Sequence, residues 1–232
     1  MLLYYIRHGE PIYNPNKLTE LGRKQAEALS HRLALCGLDE IYSSSSNRAI
    51  ETARPTAEKL NLPIKILDEC NEDYVWDGFT GVDKTDGGRK WFYQIDEIRK
   101  LFVSDEVRAL GKRWYEHKLL SGETLRNNVR RIEKFTYSFT ESLGYAHKQN
   151  QNLYIAENPN EKKVALFAHE SFGMAFLSTL LDIPYPMFCT HIGLSHSGMT
   201  VIRFDGNGEV IPCVLQLSND SHLYKDELPT EI

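Results

Sequence analysis

The chain has 232 residues, 41% of them hydrophobic and 25% charged, with a formal net charge of −5. That length suits one large α/β domain, and the composition supplies a sizeable buried core. The acidic balance excludes a protein-wide phosphate-backbone footprint, which needs a basic surface excess. No nucleic-acid partner is therefore expected, although a local basic pocket remains compatible.

Leu2 to Ile6 reads as a short, fully buried strand that breaks at Arg7. The run is too short for a signal-peptide core or a membrane span, so a soluble, cytoplasmic protein with no membrane partner is expected. Cys36, Cys70, Cys189 and Cys213 are widely scattered and fit reduced thiols in that compartment. Pro11 to Lys17 is a loop whose two prolines bar a helix interior. A helix follows, with Thr19 as N-cap, apolar residues at Leu21, Ala26, Leu29 and Leu33, and Gly37 as its stop. Glu40 to Ser43 is a second strand.

A serine-rich loop then enters a helix with Arg48 in its first turn, and Pro55 predicts a kink or an early stop. Pro63 to Leu67 is a third strand. Residues 79–120 are rich in Trp, Phe, Tyr, Lys and Arg, with helical stretches but no clear strand. They are expected to form a cap inserted over one end of the sheet within a single domain spanning 1–232. Residues 146–163 are polar and predict a long exposed loop. Val164 to Ala168 is a fourth strand, followed by an apolar helix. Met199–Asp205 and Val210–Leu217 read as two further strands, joined by Asp205–Gly208 (DGNG) as a hairpin turn. The expected fold class is α/β, a three-layer sandwich: a mostly parallel central sheet, helices on both faces and an antiparallel edge.

In open α/β sheets, ligands bind beyond the carboxyl ends of the parallel strands. Here those ends deliver Arg7 and His8, Arg48, Glu69 and His169. The set suits phosphoryl transfer through a covalent histidine. Arginine forks bind the charged equatorial oxygens bidentately. They also depress an imidazole's pKa, keeping it neutral and nucleophilic. A hydrogen bond from its other nitrogen, such as one to the Gly9 carbonyl, would fix the tautomer. A carboxylic acid would protonate the leaving oxygen and later serve as base to water. This scheme calls for no metal and no cofactor.

The stretches LLYYIRHGEPIYN, LTELGRKQAEAL, YSSSSNRAIETA, LDE at 67–69, SGET at 121–124, LFAHES and NDSHL at 219–223 resemble the histidine phosphatase superfamily, the phosphoglycerate-mutase-like fold. The resemblance extends along most of the chain. It implies His8 as nucleophile, with Arg7, Arg48 and His169 binding the phosphoryl group and Glu69 as proton donor. Asn14 matches the position of a family asparagine that can touch phosphate. ECNEDYVWDG departs from the family's pattern after the acid position, which leaves Glu72 as the alternative donor. Only seven residues separate Glu10 from Leu18, so the longer segment usual in mutases is missing. Glu170 follows the second histidine where the family commonly has glycine, a change expected to narrow the substrate range.

Other features carry two readings each. Ser43–Ser46 is either a loop and cap or a phosphate cradle. SGET with Arg130 reads as a helix entry braced by an ion pair, or as a substrate contact. His191 and His196 do not have a zinc spacing. Trp91, Phe92, Tyr93 and Trp114 form either the inserted segment's own core or a wall for an apolar or aromatic ester. The expected function is a metal-independent phosphatase acting on a small-molecule phosphate ester through phospho-His8. The alternatives are a mutase-like phosphotransferase and a non-catalytic phospho-ligand-binding protein.

Overall fold

The computed structural model describes residues 1–148 and 151–230. Its centre is a six-stranded sheet. In chain order the strands are β1 (Leu2–Arg7), β2 (Glu40–Ser44), β3 (Ile64–Leu67), β4 (Lys163–Ala168), β5 (Met199–Arg203) and β6 (Cys213–Asn219), arranged β6-β5-β1-β4-β2-β3. From β1 through β4 and β2 to β3 all pairings are parallel, whereas β5 and β6 are antiparallel additions at one side. The helices are α1 (Glu20–Cys36), α2 (Asn47–Leu60), α3 (Asp73–Phe79), α4 (Asp96–Phe102), α5 (Asp105–Leu110), α6 (Glu123–Ser142), α7 (Glu170–Leu180), α8 (Tyr185–His191) and α9 (His222–Lys225).

Alternation along the central strands makes the three layers. Leu3 and Tyr5 of β1, with Val164, Leu166 and Ala168 of β4, face a core built with Phe135 and Phe139 of α6 and Phe172 and Phe176 of α7. Tyr4, Ile6, Ala165 and Phe167 face the opposite core, against Leu29 and Leu33 of α1 and Ala53 and Ala57 of α2. A parallel sheet covered on both faces needs such continuous apolar strands, because every second side chain would otherwise be stranded in an apolar layer.

Thr19 caps α1, accepting from the Gly22 amide at 2.9 Å, and Gly37 ends the helix with φ +70°. Pro55 does not stop α2, which runs to Leu60. One lost amide is outweighed there by a helix face buried through Thr52, Ala53, Thr56 and Ala57. The stretch 146–163 is not one loop. Tyr145–Lys148 and Leu153–Ala156 form a hairpin, whose residues 149 and 150 lie outside the described set, and Gly208–Val210 adds a third strand. The DGNG turn therefore leads into this small sheet before the chain returns as β6, and does not join β5 directly to β6. Residues 79–120 do contain strands, a short pair formed by Thr80–Val82 and Arg89–Trp91. Their Phe92, Phe102, Val107 and Trp114 belong to the same core as Phe172, Phe176 and Tyr185.

The loop after β1 is clamped to the start of α1. The Glu10 amide donates to Gln25 Oε1 at 2.8 Å, and the Thr19 amide donates to the Glu10 carbonyl at 3.0 Å. Backbones approach so closely that a Cβ on Gly22 would lie 2.2 Å from the Glu10 carbonyl oxygen, and one on Gly9 2.6 Å from that of Gly22. Both obstacles are backbone and cannot swing away. Gly22→Ala is therefore expected to lower the unfolding free energy by about 1–3 kcal/mol, read from urea midpoints. An unchanged midpoint would show that the loop tolerates displacement.

Candidate active site

β1 and β4 are parallel neighbours with Arg7 opposite Ala168, so the next residues, His8 and His169, leave the sheet side by side. Their ring centroids are 5.2 Å apart, and they are 1% and 0% exposed. His8 is held by its backbone on both sides. Its amide donates to the Ala168 carbonyl, and its carbonyl accepts from the Ser197 amide. His8 Nδ1 lies 2.7 Å from the Gly9 carbonyl oxygen, an acceptor only, so Nδ1 carries the proton. Nε2 is then a lone pair, and it accepts from Arg48 Nε at 3.2 Å. Burial first, then His169, Arg7 and Arg48, hold the His8 pKa well below the ordinary imidazole value.

His169 forms the N-cap of α7. Its Nε2 is 2.8 Å from Ser44 Oγ, at the end of β2. The Ser44 oxygen also accepts from the Ser46 amide. The Ser44 hydroxyl donates to Nε2, because His169 Nδ1 faces the Glu72 carboxylate at 3.8 Å and is the protonated nitrogen. That nitrogen is buried with no hydrogen-bond partner among the described residues. Burial, Arg48 and Arg7 depress this pKa too. The Tyr5 hydroxyl fixes the backbone at this point, donating to the His169 carbonyl at 2.6 Å.

Arg48, 5% exposed in the first turn of α2, is the junction of the site. Besides His8 it donates to Glu72 Oε2 at 3.0 Å and to Asn16 Oδ1 at 3.3 Å, and its guanidinium carbon lies 5.3 Å from the centre of the Tyr13 ring. Glu72, 9% exposed, uses its other oxygen to accept the Ser171 amide in the first turn of α7, where the helix dipole favours an anion. Arg7 lies across the site. It donates to the Leu194 carbonyl, approaches His196 Nε2 at 2.8 Å and pairs with Glu170 at 3.3 Å.

The expected residues Arg7, His8, Arg48 and His169 thus converge. Glu69 does not. After β3 a 3₁₀ turn, Asp68–Cys70, buries Cys70 and leaves Glu69 exposed, its carbonyl accepting from Arg131. The chain returns to the sheet rim three residues later, and the carboxylate in the cluster is that of Glu72. Asn14 is exposed as well. Asn16 reaches the site in its place, also donating to Ser46 Oγ at 2.9 Å. Ser44 and Asn16 carried no sequence signal that separated them from their neighbours in the SSSS and YNPN runs. The clue available for Ser44 was only its place at the end of a strand adjacent to the one that delivers His169.

His8, Glu72 and His169 also bring ligand-type atoms within 4.8 Å of one another, a set able to hold a divalent cation. Arg48 already donates to two of the three, and Arg7 adds a second positive charge to the field at both histidines. That charge balance fits an anion better than a cation. Beyond Arg48 and Glu72 a cleft of about 550 Å³ continues past Tyr13, Asp73, Trp76 and Trp91, within the size range of small-molecule sites.

Comparison with known proteins agrees with this geometry. Residues 3–216 match the sequence profile of the histidine phosphatase superfamily, branch 1. An adenosylcobalamin/alpha-ribazole phosphatase of Salmonella typhimurium is 37% identical over 58% of this chain and 65% of its own length. The one from Salmonella typhi is 37% identical over 68% of this chain and 74% of its own. Phosphoserine phosphatase 1 of Hydrogenobacter thermophilus is 26% identical over 95% of this chain and 93% of its own. The fold also matches a solved phosphoserine phosphatase from Entamoeba histolytica bound to phosphoserine, with a TM-score of 0.60, 20% identity, and 96% and 98% of the two chains covered. A solved alpha-ribazole phosphatase from Shigella flexneri gives 0.60, 20%, and 95% and 97%. With the profile spanning nearly the whole chain, the protein belongs to the histidine phosphatase superfamily, branch 1.

Proposed function

We propose that the protein is a metal-independent phosphomonoesterase that works through a phosphohistidine on His8, with a small-molecule phosphate ester as substrate. The observation that carries this reading is the buried, neutral His8, whose Nε2 lone pair faces Arg48 and Glu72 while Nδ1–H is tied to Gly9.

In this scheme the ester phosphoryl takes the place of Glu72 and His8 as Arg48's hydrogen-bond partner. Arg7 and the His169 Nδ1–H, which makes no hydrogen bond and lies 3.8 Å from Glu72 Oε2, supply further donors, already oriented and shielded from water. The His8 Nε2 lone pair forms the N–P bond as the ester P–O bond breaks. Glu72, carrying a proton taken from solvent as the dianion displaces it from Arg48, gives that proton to the departing alkoxide. Water then attacks phosphorus, Glu72 takes the water's proton, and the N–P electron pair returns to Nε2. Phosphate leaves and Glu72 returns its proton to solvent, which restores the site. The short 11–17 segment supports transfer to water over return of the phosphoryl to an organic acceptor. The curated relatives named above are phosphatases, acting on alpha-ribazole phosphate or phosphoserine.

Release of phosphate from para-nitrophenyl phosphate should persist in EDTA. It should fall at least about 10³-fold in His8→Ala, and turnover of the native enzyme quenched in alkali should leave an acid-labile phosphoprotein. EDTA-sensitive release, or full activity in the variant, would overturn the phosphohistidine route.

The two carboxylates are separable by the same assay. Glu72→Gln is expected to lower kcat by about 10²–10⁴-fold, most strongly for esters of poor leaving alcohols, which need the proton. Glu69→Gln should stay within about two-fold, as an exposed position should. The reverse pattern would reassign the donor.

Burial of neutral imidazoles also ties stability to pH. The folded pKa values of His8 and His169 lie well below 6.5, and that of His222 is lowered to about 4 by burial and, secondarily, by the Arg32 charge. Folding therefore excludes protons that the unfolded chain takes up from about pH 6.5 downward. The associated stability is fully present above that pH and is lost as pH falls toward the folded values. The urea midpoint should be lower at pH 5 than at pH 7.5, and a flat or rising midpoint across this window would contradict the buried neutral state.

A further inference from the structure

We propose that the cleft beyond Arg48 selects phosphomonoesters whose alcohol carries a flat aromatic or heteroaromatic ring. This rests on the phosphomonoesterase reading of the site and names the class of substrate it prefers.

The cleft wall is aromatic beyond what the local core requires. Phe79, Phe102, Trp114 and Tyr185 pack together in the interior, with Phe92 edge-on to Phe102. Trp76 and Trp91 are half-buried and line the cleft instead, with Trp91 also packed against that core. Their rings meet edge to face, 4.7 Å between centroids at 87°. Tyr93 lies parallel to Trp91, at 7° and 6.4 Å, and its hydroxyl is 2.8 Å from Ser171 Oγ in the first turn of α7. The wall is thereby anchored to the helix that carries His169 at its cap. A rigid aromatic surface at a fixed place relative to the phosphoryl site costs little entropy when a ring stacks on it. Tyr13, 67% exposed, lines the same cleft.

The aromatic cleft is bordered by charges of both signs. The guanidinium of Arg48 lies over Tyr13, and that of Arg89 lies 5.9 Å from the Trp76 ring centre. Arg89 is itself paired with Asp77 at 3.1 Å, the Glu72 carboxylate is committed to Arg48, and the exposed Asp73 carboxylate borders the cleft. Asn16 and Gln94 supply polar edges to the same cleft.

A matched pair of substrates tests this without changing the leaving group: adenosine 5′-monophosphate and ribose 5-phosphate share the primary 5′ ester and differ in the base. For the native protein kcat/KM should favour the nucleotide by at least about ten-fold, as base stacking on aromatic side chains does elsewhere. In Trp91→Ala the ratio should collapse toward one, and Trp91→Phe should restore much of it, which a merely misfolded variant would not do. A native ratio near one, with both esters cleaved, would overturn the stacking proposal and leave the phosphatase reading intact. If para-nitrophenyl phosphate and both esters release no phosphate, the phosphatase reading has failed and binding decides the cleft separately. Saturable quenching of tryptophan fluorescence by the nucleotide but not by ribose 5-phosphate would then support stacking, and equal response to both would overturn it.

Discussion

The site depends on how the Arg48 guanidinium is kept buried. A cation taken out of water costs several kcal/mol unless its donors are met, and its place in the first turn of α2 also opposes the helix dipole. The chain answers with His8 Nε2, the Glu72 carboxylate, Asn16 Oδ1 and the Tyr13 ring. Three of these come from two segments far apart in sequence: His8 and Asn16 from the exit of β1 and the loop before α1, and Glu72 from the entry of α3. Holding one charge therefore fixes the relative positions of nucleophile and carboxylate. The same guanidinium makes protonation of both histidines unfavourable, so position and protonation state are set by one interaction.

The sheet supplies the remaining precision. Parallel neighbours place equivalent backbone atoms side by side, and the register of β1 on β4 puts the two imidazoles on a common rim. Each ring's outer nitrogen is then fixed by a short-range partner: the Gly9 carbonyl for His8 and the Ser44 hydroxyl for His169. The consequence is complementary polarity, with a lone pair at His8 Nε2 and an N–H at His169 Nδ1. One can attack phosphorus while the other binds its oxygen, although the residues are chemically identical.

The parts legible in the sequence are those governed by local rules. Apolar runs gave the central strands, Thr19 and Gly37 bounded α1, and the charged residues just past strand ends pointed to the rim. What was not legible depended on counting through irregular backbone. Beyond β3, distance from the strand end identifies Glu69, but the 3₁₀ turn at Asp68–Cys70 rotates it to solvent and brings back Glu72. The same holds for Asn14 and Asn16, since a loop with two prolines has no period from which to read direction. The strands within 145–156 and 80–91 are three or four residues each. They carry Lys, His, Gly and Arg, and only their pairing partners stabilise them. Pro55 failed as a stop signal because tertiary burial of the α2 face outweighed a local preference.

The two arginines are built for different tasks, and the contrast explains where the chain has freedom to vary. Arg7 is held by the Leu194 carbonyl, His196 and Glu170, none of which takes part in the proposed bond changes. Its geometry can thus persist while the phosphoryl group arrives, reacts and leaves. Arg48 is held by the very groups that react, so each step of the proposed cycle reassigns its partners. A side chain of the first kind tolerates exchange of a support such as Glu170. A side chain of the second kind does not, because any change in its supports is a change in the nucleophile or the acid. Variation in specificity is accordingly free to collect around Arg7 and along the aromatic cleft, while the Arg48 junction stays fixed by the chemistry it serves.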